Sequence, residues 1–113
     1  LTELDAGLSV LTGLDVNDPR CPRLASAVPR FEEVAELLAG GADAEELRCA
    51  TTTVLADHGA DANPDEAGPF GRLCVHTEEF GTRSASLLLV DAGGRAELFH
   101  ADGPPCRTPL APL

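Results

Sequence analysis

Tryptophan, tyrosine and methionine are absent from this 113-residue chain, and phenylalanine occurs only four times. Without rings there is no platform on which successive bases stack and no cage for a quaternary ammonium group. Basic residues are scarce: 8 Lys and Arg stand against 19 Asp and Glu, a net charge of −11. Such a surface repels phosphate backbones and anionic headgroups, so neither nucleic-acid binding nor membrane-surface binding is expected. The longest apolar run is Leu87-Leu88-Leu89-Val90. A spanning helix needs about 20 apolar residues, so membrane insertion is not expected either.

Paired-ligand motifs are also missing. Cys21, Cys49, Cys74 and Cys106 stand 28, 25 and 32 residues apart, with no CxxC or CxC among them. A structural zinc site is therefore not expected, and His58, His76 and His100 are too dispersed in sequence to add one. Nothing indicates an oxidising compartment, so the cysteines read as reduced, mostly buried thiols of a cytoplasmic protein. There is no GxSxG elbow, no GxGxxG, no P-loop and no HExxH. No signal-peptide pattern opens the chain, which starts at Leu1 rather than Met. That start suggests truncation, processing or a partial reading frame, and leaves an upstream segment open.

What is present is an aliphatic composition, 43% hydrophobic with mean hydropathy near zero, sufficient for one modest core. Residues 1–113 read as a single domain. The alternation of Gly7 to Gly13 predicts a short strand, and Leu14 to Pro19 a turn. Asp18-Pro19 can open a helix to about Val28, after which Pro29 either kinks it or begins the next. Phe31, Val34, Ala35 and Leu38 form the apolar stripe of a helix stopped by Gly40-Gly41. Asp43 with Glu46 caps a second helix, whose stripe is Leu47, Ala50, Val54 and Leu55 and which stops near His58-Gly59. Ala60 to Gly71 reads as an irregular loop.

In the last third, Arg72 to Thr77 is a strand candidate. Ser84 to Val90 and Arg95 to His100 form a hairpin around Asp91-Ala92-Gly93-Gly94. The end of the first hairpin strand is apolar on both faces, which predicts burial on two sides. Pro104, Pro105, Pro109 and Pro112 predict an irregular tail. Helices followed by an antiparallel hairpin make the chain α+β, an antiparallel sheet with packed helices.

Candidate nucleophiles are Cys106, Cys74 and Ser84. Cys106 has Arg107 beside it but no helix N-terminus to stabilise a thiolate. Cys74 lies two residues before His76, so alternation puts both on one face of a strand. The carboxylates are numerous, and none of their spacings singles out an acid/base pair. Cys21-Pro22 is a dipeptide of the kind sometimes seen in reversible haem binding, but one dipeptide is a very weak signal and turn formation accounts for it better.

Several stretches together resemble the NRDE family, also called the transport and Golgi organisation protein 2 family. Thr77-Glu78-Glu79-Phe80-Gly81-Thr82-Arg83-Ser84-Ala85-Ser86-Leu87-Leu88-Leu89-Val90-Asp91 with Gly93-Gly94-Arg95 is similar to its "YGTRSSTVLLVDxxGR" element, with Phe80 in place of Tyr and Ala85-Ser86 in place of Ser-Thr. Phe99 to Pro109 is similar to the "FADGPPCRTP" ending of bacterial members. Leu11-Thr12-Gly13-Leu14-Asp15, Asp18-Pro19-Arg20 and Val28-Pro29-Arg30-Phe31 resemble "LTxxDLDDPR…LPRF".

The resemblance implies the C-terminal part of an N-terminal-nucleophile (Ntn) hydrolase-like αββα sandwich. Family members begin with a cysteine after the initiator Met and carry an Asn-Arg-Asp-Glu motif nearby, and this chain contains neither. The resemblance thus implies hydrolysis of an amide or ester bond only with that segment present, with no catalytic residue in the chain itself. Thr82, Arg83 and Ser84 are then the substrate-facing residues, Arg83 orienting an anionic group. A non-enzymatic haem-trafficking carrier, with haem as cargo rather than cofactor and Cys21 as its contact, is the alternative the family suggests. A third is a structural remnant that self-associates through an exposed sheet edge.

Overall fold

The structure, a computed structural model, describes residues 3–11, 17, 18, 20–58, 73–79 and 81–113. Helix α1 spans Pro22–Ala39 and helix α2 Ala44–Leu55, followed by strands β1 (Ala85–Val90), β2 (Ala96–Ala101) and β3 (Ala111–Pro112). The chain is α+β, with the strands in one antiparallel sheet of order β1-β2-β3. No helix among the described residues is long and apolar enough to cross a membrane.

Pro22 lies at the start of α1, where a missing N–H leaves no bond unmade. The sequence offers Pro29 as a kink or a fresh start, and the helix runs through it as one element. Leu24 and Ala27 are buried just before it, at 7% and 1% exposure. Their packing holds the turn in which proline removes a backbone hydrogen bond. The expected stripe beyond Pro29 is less buried than its spacing predicts. Phe31 and Val34 are half-buried, while Ala35 and Leu38 are exposed. Gly41 ends the helix at φ +83°, and Ala42 N–H donates to the Leu37 carbonyl at 3.0 Å, as a left-handed C-terminal turn requires.

The Asp43 carboxylate accepts from Glu46 N–H at 2.9 Å, the expected cap of α2. Leu47, Thr51 and Val54 are its buried residues. Thr51 therefore takes an inward position, and the expected Ala50 and Leu55 are only half-buried. Its neighbours bond back along the helix: Thr52 Oγ1 donates to the Arg48 carbonyl at 2.7 Å and Thr53 Oγ1 to that of Cys49 at 3.1 Å. This satisfies hydroxyls that would otherwise compete with the helix.

The hairpin forms as expected. Asp91 Oδ1 accepts from Gly93 and Arg95 N–H, both at 2.9 Å, and Gly94 takes φ +83°. Register pairs Ala85 with Ala101, Leu87 with Phe99 and Leu89 with Glu97. On the sheet the buried cluster is Phe99, Ala101 and Leu110, with Leu55, Ala85, Leu87 and Leu89 packed against it. Arg48 reaches from α2 across the Phe99 ring, 5.7 Å from its centroid, and Nη1 donates to the Leu110 carbonyl at 3.3 Å.

Four further expectations are corrected. Burial of the first hairpin strand on two sides is not found: Leu88 and Val90 are 60% and 61% exposed, because α2 covers only the Leu87–Leu89 face. The proline-rich tail is not wholly irregular. Pro112 pairs with Phe99 in β3, and Leu113 N–H donates to the Leu98 carbonyl at 2.9 Å. A proline is compatible with an edge strand whose N–H side faces away from the sheet. Within the expected strand of Arg72 to Thr77 the pairing is a single bridge, His76 to Gly81. Residues 7–11 of the first expected strand are irregular, while 12–16 and the expected loop at 60–71 lie outside the described residues.

Two substitutions test this packing. Asp43→Ala should cost about 1 kcal/mol through loss of the cap. Phe99→Ala should cost about 3–5 kcal/mol by emptying the core. Both are read from urea denaturation midpoints at unchanged slope, and equal midpoints for the two variants would contradict the core assignment.

Candidate functional site

The site is built outward from Asp57, just past the end of α2. Its carboxylate pairs with Arg30 of α1 and accepts from Ser26 Oγ at 3.0 Å, and its side chain is only 8% exposed. Its carbonyl accepts from Cys74 N–H at 2.8 Å. One residue thus ties α1 and the end of α2 to the 73–76 segment, and so sets His58 beside Cys74 and His76.

The 73–76 segment is held from its other side by the Gly81-Thr82 turn. Thr82 N–H donates to the Val75 carbonyl at 2.8 Å, and Thr82 Oγ1 accepts from Val75 N–H at 2.9 Å. Gly81 is required by proximity, since a Cβ there would lie 2.7 Å from the Val75 carbonyl oxygen. With Val75 pinned and its chain extended, Cys74 and His76 lie on one face.

The tail completes the site. Arg107 and Thr108 N–H both donate to the Pro104 carbonyl, at 3.0 and 2.9 Å, closing a tight turn that presents Cys106. Gly103 admits no side chain here, because a Cβ would meet Thr108 Oγ1 at 2.3 Å.

Four side chains converge as a result. His76 Nε2 lies 3.2 Å from Cys106 Sγ and 3.5 Å from Cys74 Sγ. The His58 and His76 rings meet edge to face, with centroids 5.1 Å apart and planes at 68°. The potential ligand atoms of His58, Cys74, His76 and Cys106 all lie within 4.8 Å of one another. Cys74 is fully buried, Cys106 half-buried, and both histidines reach the surface. Burial pushes the Cys74 thiol above the ordinary thiol range, and its hydrogen bond with Cys106 adds to the shift.

The sequence reads the three histidines as dispersed and the thiols as separate, and expects no metal ligands. Dispersal holds for His100, which lies at 2.8 Å from Ser86 Oγ through Nδ1, at the pair Ser86–His100 of the hairpin. It does not hold for His58 and His76, because Asp57 closes the intervening stretch through one backbone hydrogen bond. The signal in the sequence was the Cys74-Val75-His76 alternation, and what it lacked was the contact between His58 and the tail. All four cysteines are free; Cys21 and Cys74 are buried, while Cys49 is exposed. The expectation of mostly buried thiols therefore fits two of the four.

The other proposed site residues are spread differently. Thr82 is half-buried and its hydroxyl is engaged with Val75, whereas Arg83 and Ser84 are exposed at the entry to β1. Cys21 is the N-cap residue of α1 and buried, so its dipeptide with Pro22 starts a helix. Asp18, 8% exposed, pairs with Arg20 at 2.6 Å, and that guanidinium holds its carboxyl below the usual carboxylate range.

The Thr82 hydroxyl is tested by two substitutions. Thr82→Val leaves the Val75 amide unpaired and should cost about 1–3 kcal/mol, as a buried unsatisfied donor does. Thr82→Ser keeps the oxygen and should recover most of that loss. Equal denaturation midpoints for the two variants would show that the hydroxyl does not hold the segment.

No protein-family model matches this chain, nor does any curated protein or solved structure with which it was compared.

Proposed function

We propose that this chain is the C-terminal part of an NRDE-type, Ntn-hydrolase-like protein that acts on an amide or ester bond together with a cysteine-first segment. The observation that carries the reading is that, among the described residues, the sheet is covered on one side. α2 packs on the Leu87–Leu89 face, while Leu88, Val90 and Leu98 of the opposite face are 60%, 61% and 40% exposed. In an αββα sandwich each sheet has helices on one face and the other sheet on the second, so an apolar face without helices is where a second sheet packs.

The placement of the motifs also supports the reading. The stretch that resembles the "YGTRSSTVLLVD" element supplies the Gly81-Thr82 segment and β1, and the "FADGPPCRTP" stretch supplies the end of β2 and the Cys106 turn. β1 pairs with β2 from Ala85↔Ala101 onward, so both stretches meet at the entry to β1. Arg83 is exposed there, and its planar guanidinium suits a carboxylate or phosphate on the substrate. The nucleophile in this reading is the thiol of a first-residue cysteine, with its own α-amine as base. The buried position of Cys21 gives the haem-carrier reading no comparable support.

The test begins with the intact mass and first residue of the native product. A longer product that begins with cysteine and cleaves members of an amide and ester panel is the expected result. Arg83→Ala in that protein should lower kcat/KM for anionic substrates by about 10–100-fold, the worth of one charge-assisted contact. A native product that begins at Leu1, or a cysteine-first product inert across the panel, would overturn the reading.

A further inference from the structure

From the four converging side chains we infer a metal site: His58, Cys74, His76 and Cys106 bind one Zn2+ ion in a closed, tetrahedral Cys2His2 arrangement. The inference is independent of the hydrolase reading. Zn–N bonds of about 2.0–2.1 Å and Zn–S bonds of about 2.3 Å place tetrahedral ligands roughly 3.3–3.8 Å from one another. His76 Nε2 already stands 3.2 and 3.5 Å from the two sulfurs, and no pair of the four ligand atoms exceeds 4.8 Å. Closing the set around an ion brings the widest pair in by roughly 1 Å, from at most 4.8 Å to the tetrahedral spacing.

Hydrogen bonding pairs Cys74 with Cys106 but leaves the approach of both sulfurs to one ring nitrogen unaccounted for. A ring nitrogen carries either one proton or one lone pair, yet two sulfurs crowd His76 Nε2. A Cys–His nucleophile pair uses one thiol, and here a second, buried thiol shares the same nitrogen. A central cation answers both points. Two thiolates and two neutral imidazoles around Zn2+ give a site without net charge, which suits a half-buried position. The thiol protons pass to solvent on binding.

The backbone holds the ligands without using the ligand side chains. Cys74 N–H is bonded to the Asp57 carbonyl, Val75 to Thr82, and the Cys106 turn to the Pro104 carbonyl. Preorganisation of this kind separates a metal site from a chance meeting of donors. Soft thiolates with imidazoles in a tetrahedron select Zn2+ over the oxygen-seeking ions Mg2+ and Ca2+. Four protein ligands leave no open position for water, so the ion is structural. It clamps the end of α2, the 74–76 segment and the tail at one point.

The experiment uses the untagged full chain, freed of metal with a chelator under reducing conditions and titrated with Zn2+ and with Co2+ as a spectroscopic probe. One ion should bind per chain. Co2+ should give intense visible bands of tetrahedral coordination and sulfur-to-cobalt charge transfer. Loss of any one ligand in Cys74→Ser, Cys106→Ser, His58→Ala or His76→Ala should weaken binding beyond the roughly 10–100-fold that a supporting-residue change costs. Cys49→Ser and His100→Ala should leave it unchanged.

Because ligand variants can unfold, the wild-type chain supplies a second readout. Zn2+ should block alkylation of the half-buried Cys106, mapped by mass spectrometry, while the exposed Cys49 stays reactive. It should also raise the unfolding midpoint. Absence of a tetrahedral Co2+ spectrum, a spectrum that survives in the Cys74→Ser/Cys106→Ser double variant, or rapid alkylation of Cys106 indifferent to Zn2+ would overturn the assignment. The last result would instead mark a reactive thiol paired with His76.

Discussion

The described fold depends on Asp57. Its carboxylate is turned inward toward Arg30 and Ser26 of α1, and its carbonyl faces the other way to receive Cys74 N–H. A mostly buried ion pair adds little net stability, since desolvation offsets most of the attraction, but removing one partner leaves an uncompensated charge costing about 3–5 kcal/mol. The contribution is therefore one of placement. Asp57 adds to the packing of α1 on α2 a polar tie at the end of α2, and the strand-like segment that carries Cys74 and His76 is bonded to that tie on one side and to Thr82 on the other. His58 and the Cys74–His76 pair take their mutual position from there, and the Pro104 turn brings Cys106 to them.

Local interactions were legible in the sequence and long-range closures were not. The Asp43 cap, the Gly40-Gly41 stop and the Asp91 hairpin turn each rest on contacts within five residues, and each stands where its residues predict. The stripe of α1 failed because a period of 3.6 says which side of a helix is apolar but not whether anything covers it. Leu38 lies on that side and is 60% exposed. The same reasoning overstated burial around Leu88. The donor cluster escaped because it draws on residues 58, 74, 76 and 106, which meet only through the Asp57 carbonyl and the Pro104 turn. Tail proline was read as a breaker, although an edge strand tolerates it.

Several residues of the motif stretches have local physical reasons to be what they are. Gly81 and Gly103 stand where a Cβ would strike the Val75 carbonyl and the Thr108 hydroxyl respectively, and the Thr82 hydroxyl completes the bonding of Val75. These positions shape the chain so that Arg83, Ser84 and Cys106 are presented at one end of the hairpin. The motif thus combines residues that bend the backbone with a smaller number free to touch something else, and only the second kind bears on chemistry.

The proline in β3 also governs how the sheet can grow. Among the described residues β3 covers one side of β2 with a two-residue strand that includes Pro112, which has no N–H to offer a further neighbour. β1 is the other margin, six residues long. Strand addition is therefore polar: one border accepts a partner and the other refuses it. Two copies joined along β1 would consume each other's only receptive border and stop as a twofold pair. A sheet with two open borders could instead lengthen without limit into a fibre, a growth that the missing N–H of Pro112 would oppose on the β3 side.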